Sequence, residues 1–290
     1  MNDKEKLIYL RQLAKGVKMF ATDLDGTLFD SRHQLSDENL GALQALAEKG
    51  IVLVVATGRS RLSIPDSFTS IKDIKYLITA NGARIHLNST DEIIREEFVL
   101  PAALEFVMPL LRDPEIMCEV FWNGVPHVDE TRYKIAAEYG IPRWFSDYFY
   151  STRKPIADLE AAIFENENII ENINFVFGSE EVQERVRLFL EPRTDLYEFT
   201  SSFPFNYEIG GIGVSKGAAM DFIAELEGIA PEEIISFGDN DNDRTMLEHA
   251  GIGVATANAV DSVKAAADLV TEQDNNESCV AAALKLLEII

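Results

Sequence analysis

Apolar and polar positions follow two grammars along this chain. In the first, a short and mostly apolar run stops abruptly at small polar residues. Residues 17–22 run into Asp23, residues 51–56 into Thr57-Gly58-Arg59, and residues 234–237 into Gly238-Asp239-Asn240-Asp241-Asn242-Asp243. Such runs predict strands of a parallel sheet covered on both faces, whose C-terminal ends open into a crevice where ligands bind. Between the first two, Ser36-Asp37-Glu38-Asn39 is a helix start, Leu40, Leu43 and Ala47 recur at helical spacing, and Gly50 closes the segment. Strand, helix and strand make a βαβ unit with a right-handed crossover. Residues 76–80 predict a further strand ending at Asn81-Gly82, residues 251–255 and 269–271 short edge strands, and residues 279–290 a closing helix. Lys4, Lys6, Arg11, Lys15 and Lys18 interrupt the apolar positions of the first twenty residues, which predicts an extra amphipathic helix docked ahead of the first strand rather than a signal peptide.

The second grammar occupies residues 85–207. Alternating strand patterns at 116–122 and 173–177 intermix with helix starts at Leu100-Pro101-Ala102-Ala103 and Ser179-Glu180-Glu181-Val182. This predicts a smaller α+β module of residues 85–207 inserted into a discontinuous α/β domain of residues 1–84 and 208–290. Asn81-Gly82 and Gly210-Gly211 punctuate the chain near the two crossings.

Chemistry gathers at the strand ends. Asp23 and Asp25 lie two apart, so on an extended chain they point to one side, and Gly26 frees the backbone to turn. Paired carboxylates at a sheet edge suit Mg2+, with Asp23 as nucleophile and Asp25 as the acid and base. Thr57 ends the second strand, where its hydroxyl serves either a phosphoryl oxygen or a helix N-terminus. Lys216, in Gly213-Val214-Ser215-Lys216-Gly217, is the cation expected for a transferred phosphoryl group. Asp239 is the expected third metal ligand. Asp243 holds either Lys216 or a metal-bound water, and Asn242 meets substrate or fixes a carboxylate.

Charge sharpens this picture. A net charge of −23 argues against nucleic acid and anionic membrane surfaces as partners, and a phosphorylated substrate then needs a metal and a well-placed lysine. No apolar run is long enough to span a bilayer. Cys118 and Cys279 are the two cysteines and form no Cys-x-x-Cys pair, which argues against a disulfide scaffold or a zinc site and fits a reducing cytoplasm. Nothing in the pattern selects an oligomeric state.

With these residues in place, the chain resembles a haloacid dehalogenase superfamily phosphatase of the Cof type, with a large α/β cap. Asp23-Leu24-Asp25-Gly26-Thr27-Leu28, Ala56-Thr57-Gly58-Arg59, Val214-Ser215-Lys216-Gly217 and Gly238-Asp239-Asn240-Asp241-Asn242-Asp243 match the family's four motifs in order. Thr79-Ala80-Asn81-Gly82-Ala83, Glu208-Ile209 and Asn258-Ala259 are further Cof-like stretches, whereas Thr256-Ala257 and the N-terminal extension depart from the pattern. The resemblance implies a Rossmann-like parallel-sheet core with an inserted α+β cap that closes over the site. It also implies Mg2+ on Asp23, Asp239 and the backbone carbonyl of Asp25. Thr57, Gly58, Arg59, Lys216 and Asn242 would face the substrate, a small phosphorylated metabolite such as a sugar phosphate or a cofactor-like phosphate. Within the cap, Phe121, Trp122, His127, Trp144 and Phe145 offer ring faces, and Arg143 and Lys154 a second anion site; the alternative is that the rings fill the cap's own core and the cations are solvated. His33, His86, His127 and His249 lack metal-ligand spacing and read as packing or surface residues. A phosphomutase needs a denser cap cluster of Arg and Lys than this sequence has, and a non-catalytic binder needs neither nucleophile nor acid.

Overall fold

The computed structural model describes residues 2–141 and 143–290, apart from the side chains of Asp3 and Trp144. The chain opens with the helix Asp3–Ala14, started by a capping box between Asn2 and Glu5. Its Leu10 and Ala14 are buried in the main core, so the N-terminal extension is docked as its amphipathic pattern predicts. Five strands follow: β1 (Met19–Thr22), β2 (Val52–Ala56), β3 (Ile74–Thr79), β4 (Arg84–Leu87) and β5 (Glu92–Glu96). The inserted module contributes β6 (Ile116–Trp122), β7 (Val125–Asp129), β8 (Lys154–Ile156), β9 (Ile170–Phe177), β10 (Glu198–Thr200) and β11 (Asn206–Gly210). The chain then returns with β12 (Ile234–Gly238), β13 (Ile252–Ala255) and β14 (Leu269–Val270).

These strands form two sheets. The larger has the order β14-β13-β12-β1-β2-β3-β4-β5 and is parallel from β14 to β3. Residues alternate between its faces. Phe20, Leu53, Val55 and Phe237 pack against the helices Asp37–Glu48 and Cys279–Leu286 on one side. Met19, Ala21, Val54 and Ala56 pack against Lys216–Glu227 and Arg244–His249 on the other. Both faces being covered explains why these strands read as near-continuous apolar runs. The smaller sheet has the order β10-β11-β9-β6-β7-β8 and is antiparallel except for β7 and β8. Its β6 residues Ile116, Cys118, Val120 and Trp122 face the helices Pro101–Arg112 and Glu180–Leu190, while Met117, Glu119 and Phe121 look the other way.

Several expectations change. The cap does not begin at residue 85: β4 and β5 pair antiparallel with β3 and extend the large sheet. Nor does the core resume at 208, since β11 pairs with β9 in the small sheet. The two crossings instead lie side by side near Phe98 and Gly211, where a Cβ on Gly211 would stand 2.6 Å from the Phe98 carbonyl oxygen. The alternation in β4 and β5 reads as readily for one module as for the other, and pairing alone assigns it. Residues 251–255 are not an edge strand, because β14 lies outside them. The closing helix stops at Leu286. Among the described residues no helix is long and apolar enough to cross a membrane.

Candidate active site

β12, β1 and β2 are neighbours in the large sheet, so the residues that follow them, Asp239, Asp23 and Thr57, meet at one edge. The Asp23 amide donates to the Phe237 carbonyl, which carries β1–β12 pairing up to the carboxylate itself. Gly26 then turns at φ +86°, and a Cβ there would lie 2.4 Å from an Asp239 carboxylate oxygen. Only glycine lets this turn lie against Asp239. Thr27, the next residue, donates from its hydroxyl to Asp239 Oδ1 at 2.7 Å.

Lys216 starts its helix beneath this edge and is fully buried. Its ammonium donates to Asp23 Oδ1 and to Asp243 Oδ1, each at 2.6 Å. The second oxygen of Asp243 accepts from the backbone amides of Asp239 and Asn240, at 2.9 and 3.0 Å. Asp243 is thereby occupied as the holder of Lys216 and of its own loop. Oxygens of Asp23, Asp239 and Asp243 lie within 4.8 Å of one another. Burial lifts the Asp23 carboxyl to about 7, Lys216 opposing the rise and Asp243 and Asp25 adding to it. Asp239 rises well above its ordinary value through burial and its acidic neighbours. Burial alone would lower the Lys216 ammonium, but the two carboxylates outweigh it and hold the lysine above its usual range. A cluster that resists ionisation and presents hard oxygen donors is the chemistry of a divalent-cation site.

Asp25 is arranged otherwise. Its side chain is outside the acidic triad and is gripped by Arg59, Nε to Oδ2 and Nη2 to Oδ1, both at 2.6 Å. His33 Nδ1 lies 2.8 Å from the same Oδ1. Burial would raise the Asp25 carboxyl, yet Arg59 and His33 outweigh it and hold it well below the usual carboxylate range. Arg59, expected on the substrate, therefore serves Asp25 in this structure. His33, expected as a packing or surface residue, completes the same cluster. Thr57 is buried, accepts from the Arg59 amide at 3.1 Å, and lines the cavity. Gly58 and Asn242 also line it, and Asn242 donates to Asn81 Oδ1 at 3.0 Å.

Above this floor lies a cavity of about 520 Å³, roofed by the inserted module. Of the aromatic residues named from sequence, Phe121 and Phe145 line it. Trp122 and His127 do not: their rings stack on each other at 3.5 Å inside the cap. The Trp144 side chain lies outside the described residues. Arg143 and Lys154 are exposed and absent from the lining, and the roof's cation is Arg153 instead. Arg153 is paired with buried Glu119 at 3.0 and 3.1 Å, and Asn174 donates to the same carboxylate at 3.0 Å. Sequence reasoning passed over Tyr148, Arg153, Asn174, Phe203 and Glu208 as cavity residues. A signal existed for part of this set: period two in β6 sets Glu119 beside Phe121 on one face, opposite the apolar face of Cys118 and Val120.

The haloacid dehalogenase-like hydrolase family profile matches residues 20–284. The chain is 30% identical to a 5-amino-6-(5-phospho-D-ribitylamino)uracil phosphatase of Bacillus subtilis, over 93% of this chain and 95% of that one. It is likewise 30% identical to an HMP-PP phosphatase of Klebsiella pneumoniae, over 86% and 87%. Among solved structures, a haloacid dehalogenase-like hydrolase from B. subtilis superimposes with a TM-score of 0.81 at 29% identity, covering 93% of this chain and 99% of that one. A HAD subclass IIB sugar phosphatase does so with 0.77 at 27%, covering 94% and 100%. With this match spanning both sheets and all four strand-end motifs, the chain belongs to the haloacid dehalogenase-like hydrolase family.

Proposed function

We propose that this HAD-family phosphatase hydrolyses small phosphorylated metabolites with Mg2+, through a phosphoryl group carried on Asp23. One observation carries the reading: Lys216 and Asp239 stand against Asp23 at the convergence of three strand ends. Asp23, Asp239 and the Asp25 backbone carbonyl would hold Mg2+, which when bound supplies charge neutralisation for the phosphoryl oxygens. An Asp23 oxygen attacks phosphorus and the bond from phosphorus to the leaving oxygen breaks, with Asp25 supplying that oxygen's proton, which it must first take up against the pull of Arg59 and His33. In the second half a water oxygen attacks phosphorus, its proton passes to Asp25, and the bond to Asp23 breaks, restoring the carboxylate. Lys216, Thr57 and Gly58 face the phosphoryl oxygens, and Asn242 faces the substrate.

The leaving group occupies the cavity beneath the cap. Both guanidinium groups that line it, those of Arg59 and Arg153, are committed to carboxylates. This favours a leaving group without a second phosphate and weighs against a mutase, which must hold a bisphosphate in two orientations. The rings of Phe145, Tyr148 and Phe203 beside Asn174 and Glu208 suit a group with a flat or apolar part and hydroxyls, as in a sugar phosphate or a cofactor-like phosphate. The relatives whose names speak of a phosphoribitylaminouracil and a sugar phosphate support the same class.

The test is phosphate release from a panel of phosphorylated metabolites with Mg2+ or with EDTA. Release is expected with Mg2+ alone, and Asp23→Asn is expected to lower it by about 10⁴-fold or more. Release that survives in Asp23→Asn would overturn the assignment of the nucleophile. No release from any compound would overturn the reading.

A further inference from the structure

Tyr148 belongs to the helix Ser146–Thr152 of the cap, yet its ring lies against residues of the catalytic floor. The Arg59 guanidinium carbon is 4.4 Å from the ring centroid, and the His33 ring is 5.7 Å away. The guanidinium of Arg153 approaches the same ring at 4.8 Å. Each cation is tied down elsewhere: Arg59 on Asp25, with Nη1 on the Ser63 carbonyl at 2.9 Å, and Arg153 on Glu119. The aromatic face attracts both cations. Tyr148 thus joins a buried ion pair of the cap sheet to the ion pair that holds the catalytic carboxylate of the floor.

We propose that Tyr148 is a positioning residue: brought down with the cap, its ring holds the Arg59 fork on Asp25 and so keeps that carboxylate oriented for the attacking water. The proposal rests on the two-step phosphatase reading above. Two parallel bonds from Arg59 orient a carboxylate that accepts a proton, which is the form required in the second half-reaction, when water attacks phosphorus and the bond to Asp23 breaks. Loosening Arg59 should therefore slow release of the phosphoryl group from Asp23. It should leave the first step almost unchanged for a substrate whose leaving oxygen departs without a proton.

p-Nitrophenyl phosphate is such a substrate, and its product is seen directly. With Tyr148→Leu and Mg2+, kcat is expected to fall about tenfold while kcat/KM changes less than about twofold, with a pre-steady-state burst of p-nitrophenolate before the slow turnover. Tyr148→Phe, which keeps the ring, should stay within about threefold of the wild type in kcat. Arg59→Lys, which keeps the charge but loses the fork, should reproduce the burst, and adding Tyr148→Leu to it should lower kcat no further. A Tyr148→Leu variant with lower kcat/KM and no burst would make the ring a wall of the cavity and overturn the proposal. So would a Tyr148→Phe variant as slow as Tyr148→Leu, or additive losses in the double variant. If the wild type turns over and Asp23→Asn does not, these outcomes bear on Tyr148 alone; if the wild type does not turn over, the phosphatase reading falls and the proposal with it.

Discussion

The floor and the roof of the cavity are both built on buried ion pairs, but they use them differently. On the floor, one lysine meets two carboxylates and a third stands beside them, so negative charge is in excess and the cluster is poised to take a cation. In the roof, Arg153 and Glu119 pair one to one, Asn174 satisfies the remaining acceptor, and the pair is closed. An open cluster binds and reacts, whereas a closed pair gives shape and restricts what else fits. The floor sits on loops pinned by backbone hydrogen bonds and by glycines at close approach. Glu119 and Asn174 of the roof sit on one face of the cap sheet, whereas Tyr148, on the helix Ser146–Thr152, reaches down to Arg59 on the floor.

The sharpest way to break this contrast is Lys216→Met. It leaves Asp23 and Asp243 buried without their shared cation, which should cost about 3–5 kcal/mol of stability in Mg2+-free protein and about 10³-fold in activity. Chemical denaturation with and without Mg2+, beside phosphate release, checks it. Added Mg2+ should return part of the stability and little of the activity. Arg153→Met makes the matching cut in the roof, leaving Glu119 uncompensated with its side chain 1% exposed. The expected loss is about 3 kcal/mol, with most recovered in Arg153→Met/Glu119→Gln and the activity change confined largely to KM. If the roof variant lost kcat as the floor variant does, the division of labour would be wrong.

The smallest effect concerns pH. In the Mg2+-free fold the Asp23 carboxyl is raised from 3.8 to about 7, so the folded state holds this proton more tightly than the unfolded chain does. Its contribution is fully present below pH 4 and is lost as pH rises to about 7. Mg2+ displaces the same proton, so it should raise the melting temperature by a few degrees more at about pH 8 than at about pH 5.5. Asp23→Asn should reduce that difference and leave the share contributed by the raised Asp239 carboxyl. Thermal melts at the two values, with and without Mg2+, check both signs.

How much of this was legible in sequence differs between the two regions. Asp23, Thr57, Lys216 and Asp239 stand out as candidates because each ends or begins an element whose apolar pattern is unambiguous, and the parallel sheet brings such ends to one edge. Asp243 was found with two possible duties, and the geometry favours the holder of Lys216. Arg59 and His33 show what spacing cannot give. His33 lies eight residues beyond Asp25 and Arg59 thirty-four, with no periodicity linking them, and their convergence on one carboxylate depends on how two loops turn back. In the cap, β6 and β9 were recognised, but which face looks into the cavity was not, because one face packs on helices and the other carries Glu119, Phe121 and Asn174.

By itself, the sequence determined the sheet-forming runs, the order of the candidate site residues and the excess of acids that a cation would offset, since all three follow from local pattern and charge. Only the tertiary structure decided where the inserted module starts and ends, which aromatic rings reach the cavity, and that Arg59 holds Asp25 beneath a cap tyrosine. Those depend on strand pairing and on contacts between residues far apart in the chain. Their energies belong to the packed pair and leave no periodic trace in either partner alone.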